Sequence, residues 1–199
     1  MRPMKPRERV ETALEGGVPD RVPYQDAFWQ LTIARWRQEG LPTDRPPEDY
    51  FGCEIARLSG DYTLQLPIEE IEETSRYRVY VDANGATRRE IKKGDDWTPN
   101  WLDSRIKGRG DWEGFKERAG YDPSRISAGV GEAHQRARKQ DRFVAFSAHA
   151  CFHPTWQKVG METLLMWMLE DPYLADEIFA THTQLIVDLY EGIKAQGGE

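Results

Sequence analysis

The sequence predicts an α/β fold, because short apolar strands alternate with helical segments along much of the chain. Residues 143–146 (FVAF) form an apolar run directly after a charged helical segment at residues 133–141, so they are predicted to be a buried strand. Residues 53–58 (CEIARL) are predicted to be an earlier strand. Helical patterns before, between and after these two segments complete the alternation that is typical of α/β proteins.

Composition limits the class of protein. Of the 199 residues, 39% are hydrophobic and 31% are charged, as in folded globular proteins. The net charge is −7 and the basic residues are dispersed, so we expect no nucleic-acid partner. No apolar run approaches the roughly 18 residues of a membrane span, so we expect no membrane association. The N-terminus lacks a secretory signal and Cys53 and Cys151 make no disulfide framework, so a cytoplasmic location is predicted.

The helices are predicted from apolar spacing and from capping residues. Asp111 is expected to cap one of them, and Asp171 with Pro172 to begin the longest one. The shorter helices are predicted at residues 6–14, 29–39, 48–51, 112–118, 128–139 and 161–169.

One region departs from the α/β alternation. Around residues 68–93 the apolar and polar residues alternate, and Asn84-Gly85 forms a turn signal between two strand-like runs. We therefore predict a β-hairpin excursion at the edge of the main fold. Residues 95–105 are predicted to be a loop.

The end of the sequence indicates an incomplete domain. The long last helix stops at Gly197-Gly198-Glu199, where helix-ending glycines normally lead into another strand. No strand follows, so we expect residues 1–199 to be one partial domain.

The exit from the FVAF strand is the strongest candidate for chemistry, because ligands of parallel α/β folds bind at the carboxyl ends of strands. His149, Cys151 and His153 follow this strand, and an extended backbone would turn all three to one side, where they could ligate zinc. The alternative is that they line a pocket or lie buried with their hydrogen bonds satisfied. We favour the alternative, because no second Cys/His cluster is present, and we expect no metal on this segment.

Three carboxylates are candidates for acid–base work: Asp26, Glu54 and Asp61. Asp26 precedes Phe28 and Trp29, an apolar setting that could perturb its pKa, although it could equally cap the next helix. Asp61 follows a strand and a glycine, which suits either a pocket rim or a plain turn.

Several ordered segments resemble the uroporphyrinogen decarboxylase superfamily. The likeness begins with PRERVETALEGGVPDRVPY and continues through DYFGCEIARLSGDY, YRVYVDANGATRRE and WLDSRIKGRGDWEGFKER. It extends through FVAFSAHACFHPTWQKVG to the last helix, and so covers essentially the whole chain. The resemblance implies the N-terminal portion of a (β/α)₈ barrel, with the PDRVP segment at its first strand and the C-terminal half absent.

The superfamily contains two main chemistries, cofactor-free decarboxylation of a tetrapyrrole and zinc-dependent methyl transfer to or from a corrinoid protein or a thiol. Where the decarboxylases carry paired arginines, this sequence has Asp26 and Gln30, with Trp29 between them. Trp156 stands where they carry a tyrosine, and Asp61 resembles the aspartate that contacts the pyrrole nitrogens. Without the arginines a polyanionic porphyrinogen lacks its cationic clamp. The resemblance therefore favours the methyltransferase-type branch, whose zinc ligands lie in the second half of the barrel.

We therefore expect methyl transfer on a small methylated substrate, with tetrapyrrole decarboxylation and a non-catalytic tetrapyrrole- or corrinoid-binding barrel as the alternatives. The resemblance allows zinc, a corrinoid partner protein and a homodimer for the full-length protein, whereas the segment alone is expected to be inactive and to self-associate. The catalytic candidates are Asp26, Asp61 and His149. The substrate-binding candidates are Tyr24, Phe28, Trp29, Tyr62, Ser147, Phe152 and Trp156.

Overall fold

The computed structural model describes residues 2–92 and 99–197, which form a mixed α/β structure with two open sheets. The helices are α1 (Pro6–Leu14), α2 (Gln30–Gln38), α3 (Pro47–Tyr50), α4 (Arg109–Phe115), α5 (Val130–Lys139), α6 (Phe152–Val159), α7 (Met161–Glu170) and α8 (Pro172–Gly197). The strands are β1 (Ile55–Leu58), β2 (Glu69–Glu73), β3 (Tyr77–Val81), β4 (Ala86–Ile91), β5 (Asn100–Ser104) and β6 (Phe143–Phe146). Short 3₁₀ helices lie at Lys116–Ala119 and Pro123–Arg125.

The chain divides into two compact units. Unit 1 comprises Met1–Leu58, Ala128–Ser147 and Ala195–Glu199. Unit 2 comprises Ser59–Ser127 and Ala148–Lys194.

Unit 1 is built on a parallel pair of strands. β1 and β6 pair in register from Ile55 opposite Phe143 to Leu58 opposite Phe146, and Ser147 N–H continues the pairing by donating to the Leu58 carbonyl at 2.8 Å. Helices α1 and α5 pack against both strands. This pairing confirms the two predicted strands and their α/β setting. All four side chains of β6 are only half-buried, although parallel sheets are usually covered on both faces.

The PDRVP segment, which the resemblance makes the first barrel strand, is not a strand. Among the described residues, its backbone pairing next to β1 is the hydrogen bond in which Glu54 N–H donates to the Tyr24 carbonyl at 2.9 Å. Pro19 and Pro23 have no N–H to donate, so the segment is poorly suited to a continuous ladder. That part of the expectation is wrong.

A buried carboxylate holds this segment in place instead. Glu54 is 1% exposed and precedes β1 directly. Its two oxygens accept hydrogen bonds from the Arg9 guanidinium, from Arg21 Nη2 at 2.8 Å and from Tyr24 N–H at 2.7 Å. Arg9 also donates to Asp20 at 2.6 and 3.0 Å, which holds the pKa of that carboxyl well below its usual range. Glu54 is therefore a structural ion and not the acid–base candidate that the sequence suggested.

Unit 2 contains an antiparallel sheet in the order β2-β3-β4-β5. β3 and β4 form the predicted hairpin, with Gly85 at φ +77° in its turn, so that prediction is confirmed. The excursion is longer than predicted, because β5 extends the sheet to Ser104 within what was expected to be a loop. The β5 sequence NWLDS does not alternate, because its two apolar residues, Trp101 and Leu102, are adjacent, so no strand was predicted there. Lys93 and residues 95–98 of these predicted segments lie outside the described residues.

The helices of unit 2 surround an apolar core that includes Leu64, Trp112, Leu164 and Ile178. Helix α4 begins after Gly108, and the carboxylate of Asp111 accepts from Lys107 N–H at 2.8 Å, so Asp111 is not the predicted N-cap. Helices α7 and α8 confirm the predicted helical periodicity. Helix α6 was not predicted.

Replacing Glu54 with Gln is expected to destabilise unit 1 by about 1–3 kcal/mol, because the buried Arg9 guanidinium would lose one of its two carboxylate partners and keep only Asp20. The measurement is urea unfolding followed by circular dichroism. Glu11→Gln is the matched control, since Glu11 makes only a solvent-exposed (i, i+4) pair with Arg7, worth about 0.3–0.5 kcal/mol. Equal losses for the two variants would contradict the structural role of Glu54.

Candidate functional site

Within unit 2, four aromatic or imidazole side chains form a connected cluster, named here the imidazole–tryptophan cluster: Tyr62, His149, His153 and Trp156. The rings of His149 and His153 stack with centroids 3.9 Å apart. Tyr62 meets His149 edge-on at 6.1 Å, and Trp156 meets His153 edge-on at 5.3 Å. Tyr62, His149 and Trp156 are predicted catalytic or substrate-binding residues, and the structure brings them together. The fourth member, His153, was considered as a zinc ligand or a pocket residue.

Helix α6 and the loop before it create this arrangement. His153 and Trp156 are three residues apart and lie on one side of α6, whereas His149 lies in the loop before the helix and stacks on His153. The possible zinc site considered from the sequence assumed an extended backbone, which would have turned His149, Cys151 and His153 to one side. The helix separates Cys151 from that alignment, and among the described residues no group of three or more His, Cys, Asp or Glu side chains could hold a metal ion.

His153 is the chemically distinctive member of the cluster. Burial first, and then the nearby His149 and Lys158, lower the pKa of His153 below its ordinary value, so the ring is neutral at pH 7. Its Nδ1 atom is buried and has no hydrogen-bond partner within the described residues. A neutral imidazole with an unused nitrogen can accept or donate a proton to a bound molecule.

Lys158 connects the cluster to the loop that carries Tyr62. Its Nζ donates to the carbonyls of Tyr62 at 2.9 Å and Pro154 at 3.2 Å. The side chain is fully buried, and burial together with the Arg125 charge lowers the pKa of Lys158 to about 7. Tyr62 is therefore positioned by a buried amine whose charge changes near neutral pH.

Asp61 lies in the same loop but is occupied by local contacts. Its carboxylate accepts from Thr63 N–H at 2.8 Å. Burial raises the pKa of Asp61, but hydrogen bonds from Thr63 and Gln65 and the charge of Arg125 outweigh burial, so the net pKa is lowered. Arg125 fixes the loop by donating to the Asp61 carbonyl at 2.9 Å and the Thr63 carbonyl at 2.8 Å.

An open cleft of about 500 Å³ adjoins the cluster. Its walls include Trp101 and Trp156, whose ring centroids are 6.3 Å apart. Gly160, at φ +90°, lies against Trp101, and a Cβ atom there would come within 3.3 Å of the indole. The positive φ favours glycine at this position, and the close approach of the indole leaves little room for a side chain. A cleft of this volume with two indole walls suits a small molecule.

The outer face of Trp101 carries a cation from its own chain. The Arg88 guanidinium lies 4.4 Å from the Trp101 ring centroid and is also bonded to Asp82 at 3.0 Å and to Gln157. Arg88 is buried and packs against Trp101, which forms a wall of the cleft.

A buried histidine that the sequence interpretation missed lies on α8. His182 is fully buried, and its Nδ1 is 3.0 Å from Thr155 Oγ1. Because the Thr155 hydroxyl donates to the Cys151 carbonyl at 2.7 Å, it must accept from His182 Nδ1–H. Nε2 is then an unprotonated nitrogen, and it has no partner among the described residues. Its place in the apolar stripe between Ile178 and Leu185 was the signal that could have revealed its burial.

The remaining predicted residues lie elsewhere. In unit 1, Phe28 packs on Trp36 and Phe51 at 5.3 and 5.2 Å, Asp26 accepts from Ala27 N–H at 2.7 Å, and Trp29 is 70% exposed. Asp26 is not a helix cap, because α2 begins after Trp29.

Three more predicted residues complete the set. Tyr24 is partly exposed, and Ser147 ends the β1–β6 pairing in unit 1. In unit 2, Phe152 contacts Phe179 at 6.5 Å, outside the imidazole–tryptophan cluster.

Compared with known proteins, the chain matches no family model, no curated protein and no solved structure. Among the described residues, no helix is both long enough and apolar enough to cross a membrane.

The buried His182 predicts a pH-dependent stability. Burial first, and then the charge of Lys158, lower the pKa of His182 from 6.5 to about 2, so only the unfolded state takes up this proton near pH 6. The stability that His182 contributes is fully present well above pH 6.5 and is lost as the pH falls below it, by about 2 kcal/mol between pH 7 and pH 5.

The measurement is urea unfolding at both pH values. His182→Leu should show a pH-dependent loss smaller by that amount, whereas His149→Gln, at an exposed position, should behave as the unchanged protein. An unaltered pH dependence in His182→Leu would contradict the assignment.

Proposed function

We propose that this chain is part of an enzyme of the uroporphyrinogen decarboxylase superfamily, of the type that moves a methyl group between a small methylated substrate and a corrinoid or thiol acceptor. The in-register parallel pair β1–β6, flanked by α1 and α5, supports a (β/α)₈ barrel portion. The resemblance of the ordered sequence segments supports the family.

Methyl transfer is favoured over decarboxylation by one observation: the imidazole–tryptophan cluster and its cleft have aromatic walls and, among the described residues, no unengaged arginine. The cluster has a neutral His153 and indole walls, and the two buried arginines of unit 2 are engaged elsewhere. Arg125 binds backbone carbonyls, and Arg88 binds Asp82 and Gln157. A tetrapyrrole with many carboxylates needs unengaged guanidinium groups. A small methylated molecule needs an apolar wall and one or two polar atoms, which the cleft supplies.

The residues of this segment act by binding and positioning. Trp156 and Trp101 form the walls against which a methyl-bearing molecule packs, and His153 supports this wall by packing edge-on against Trp156, with ring centroids 5.3 Å apart. Lys158 and Arg125 hold the loop that carries Asp61 and Tyr62 in place beside the cluster, by donating to the carbonyls of these two residues. The described residues do not form a zinc site, so no step is assigned to zinc here.

The experiment measures the zinc content of the full-length protein and titrates it with hydroxocobalamin and with uroporphyrinogen, followed by absorbance. A second assay supplies methylcobalamin as the methyl donor and a thiol as the acceptor. Saturable corrinoid binding, with transfer of the methyl group to the thiol and release of a proton and cob(I)alamin, supports the proposal. Turnover of uroporphyrinogen to less carboxylated products would establish the decarboxylase instead. Corrinoid binding without either activity would indicate a non-catalytic barrel.

A variant tests the role of the cluster. Trp156→Leu removes the indole wall but keeps an apolar side chain, and is expected to weaken hydroxocobalamin binding by about 10-fold or more. Tyr50→Leu, at an exposed aromatic position in unit 1, is the matched control and should bind as the unchanged protein does. Circular dichroism verifies that both variants fold. Unchanged binding in Trp156→Leu would remove the cluster from the site.

A further inference from the structure

The cleft beside the imidazole–tryptophan cluster is bordered by β5 and by the junction of α6 and α7, all within unit 2. Its apolar walls include the indoles of Trp101 and Trp156 and the side chain of Met161. The two indoles are inclined at 53° to each other, so they border the cleft in two different planes. Aromatic walls at an angle can contact a rounded, methylated group on more than one side.

The charged groups that line the cleft are mainly acidic. Asp103 and Glu162 contribute two carboxylates, whereas Lys107 contributes one ammonium group. Lys107 Nζ donates to the Asp103 carboxylate at 2.9 Å, so these two charges offset each other. Glu162 forms no hydrogen bond or ion pair with any other residue that the structure describes. The excess negative charge of the cleft is therefore that of Glu162.

The amino end of α7 also opens on the cleft. Its N–H groups carry a partial positive charge that could attract an anion. Glu162 lies in the first turn of this helix, where its carboxylate offsets that partial charge. An anionic ligand would therefore meet the carboxylates of Asp103 and Glu162, which favours a neutral or cationic ligand in this cleft.

Trp101 already holds a cation of its own chain. The Arg88 guanidinium lies 4.4 Å from the centroid of the Trp101 ring. Arg88 is paired with Asp82 at 3.0 Å and does not line the cleft, so its charge is balanced away from the ligand. Indole faces attract cations because the ring quadrupole is negative above and below its plane. The same physical attraction is available to a cation inside the cleft.

We propose that this cleft binds a quaternary ammonium compound, with its methylated nitrogen packed against Trp101 and Trp156 and its charge balanced by Glu162. A quaternary ammonium has no N–H to donate, so it does not need acceptors around it, and aromatic walls are the surroundings that recognise it. A primary ammonium would need acceptors for its three N–H groups. The cleft volume of about 500 Å³ is within the range of small-molecule pockets.

The inference rests on the proposed function in that it names the class of the methylated substrate. With a thiol as the acceptor, the thiol releases its proton to solvent and its sulfur forms a bond to one methyl carbon of the ammonium group. The bond between that carbon and nitrogen breaks, nitrogen keeps the electron pair, and a neutral tertiary amine leaves. The cationic nitrogen thereby supplies a neutral leaving group.

The test is isothermal titration calorimetry of the full-length protein with choline and with 3,3-dimethylbutan-1-ol, in which a neutral tert-butyl group replaces the trimethylammonium group. We expect choline to bind with a dissociation constant of about 1 mM or below, and the neutral alcohol to bind at least about 10-fold more weakly. Equal affinities for the two compounds, or no heat of binding with choline at about 10 mM, would overturn the inference.

Glu162→Gln removes the charge at the cleft and keeps the size of the side chain. It is expected to weaken choline binding by about 3-fold or more and to leave binding of the alcohol unchanged. Glu170→Gln is the matched control, because Glu170 is also exposed on α7 but lies at its other end and outside the cleft. Equal weakening by the two variants would contradict the role of Glu162.

This inference and the proposed function fail in different assays. Selective binding of choline without methyl transfer from methylcobalamin to a thiol would support the ammonium site and remove the proposed chemistry. Methyl transfer to the thiol without any preference for choline over the alcohol would overturn the ammonium site and leave the proposed chemistry in place.

Discussion

Each unit depends on an ionisable side chain that is buried and therefore must be paired. In unit 1 the carboxylate of Glu54 binds Arg9, Arg21 and the Tyr24 N–H, so it ties helix α1 and the proline-bounded segment after it to the start of β1. A charge buried without partners costs several kcal/mol, so these contacts are obligatory once Glu54 is enclosed. The parallel pair β1–β6 begins from this anchored point.

In unit 2 the same constraint acts through cations. Lys158 and Arg125 both bind carbonyl oxygens of the loop that carries Asp61 and Tyr62. Burial lowers the pKa of both cations, and the Arg125 charge lowers that of Lys158 further. The loop is thereby held beside His153 on α6 and beside His149, which precedes this helix. The candidate site is thus positioned by buried ions that do not themselves face the cleft.

The N-terminal motif that resembles a known superfamily has a structural role in this chain. Arg9 of PRERV and Asp20 and Arg21 of PDRVP all belong to the Glu54 network at the amino end of β1. In parallel α/β folds the chemistry lies at the carboxyl ends of strands, and residues at the amino ends serve stability. The motif therefore stabilises the fold and gives little information about the reaction. The candidate residues for the reaction lie chiefly in the region after β6.

The sequence alone determined the elements whose signals are local. The FVAF strand, the Asn84-Gly85 hairpin and the long α8 follow from apolar runs, turn residues and periodicity, and the structure has all three. Only the tertiary structure decided what depends on partners distant in sequence. From the sequence, Glu54 and Asp61 are both candidate acids. In the structure the carboxylate of Glu54 accepts from Arg9, and that of Asp61 accepts from Thr63 N–H. His153, Lys158 and His182 owe their altered pKa values chiefly to burial, a property of packing that the identity of a residue does not specify.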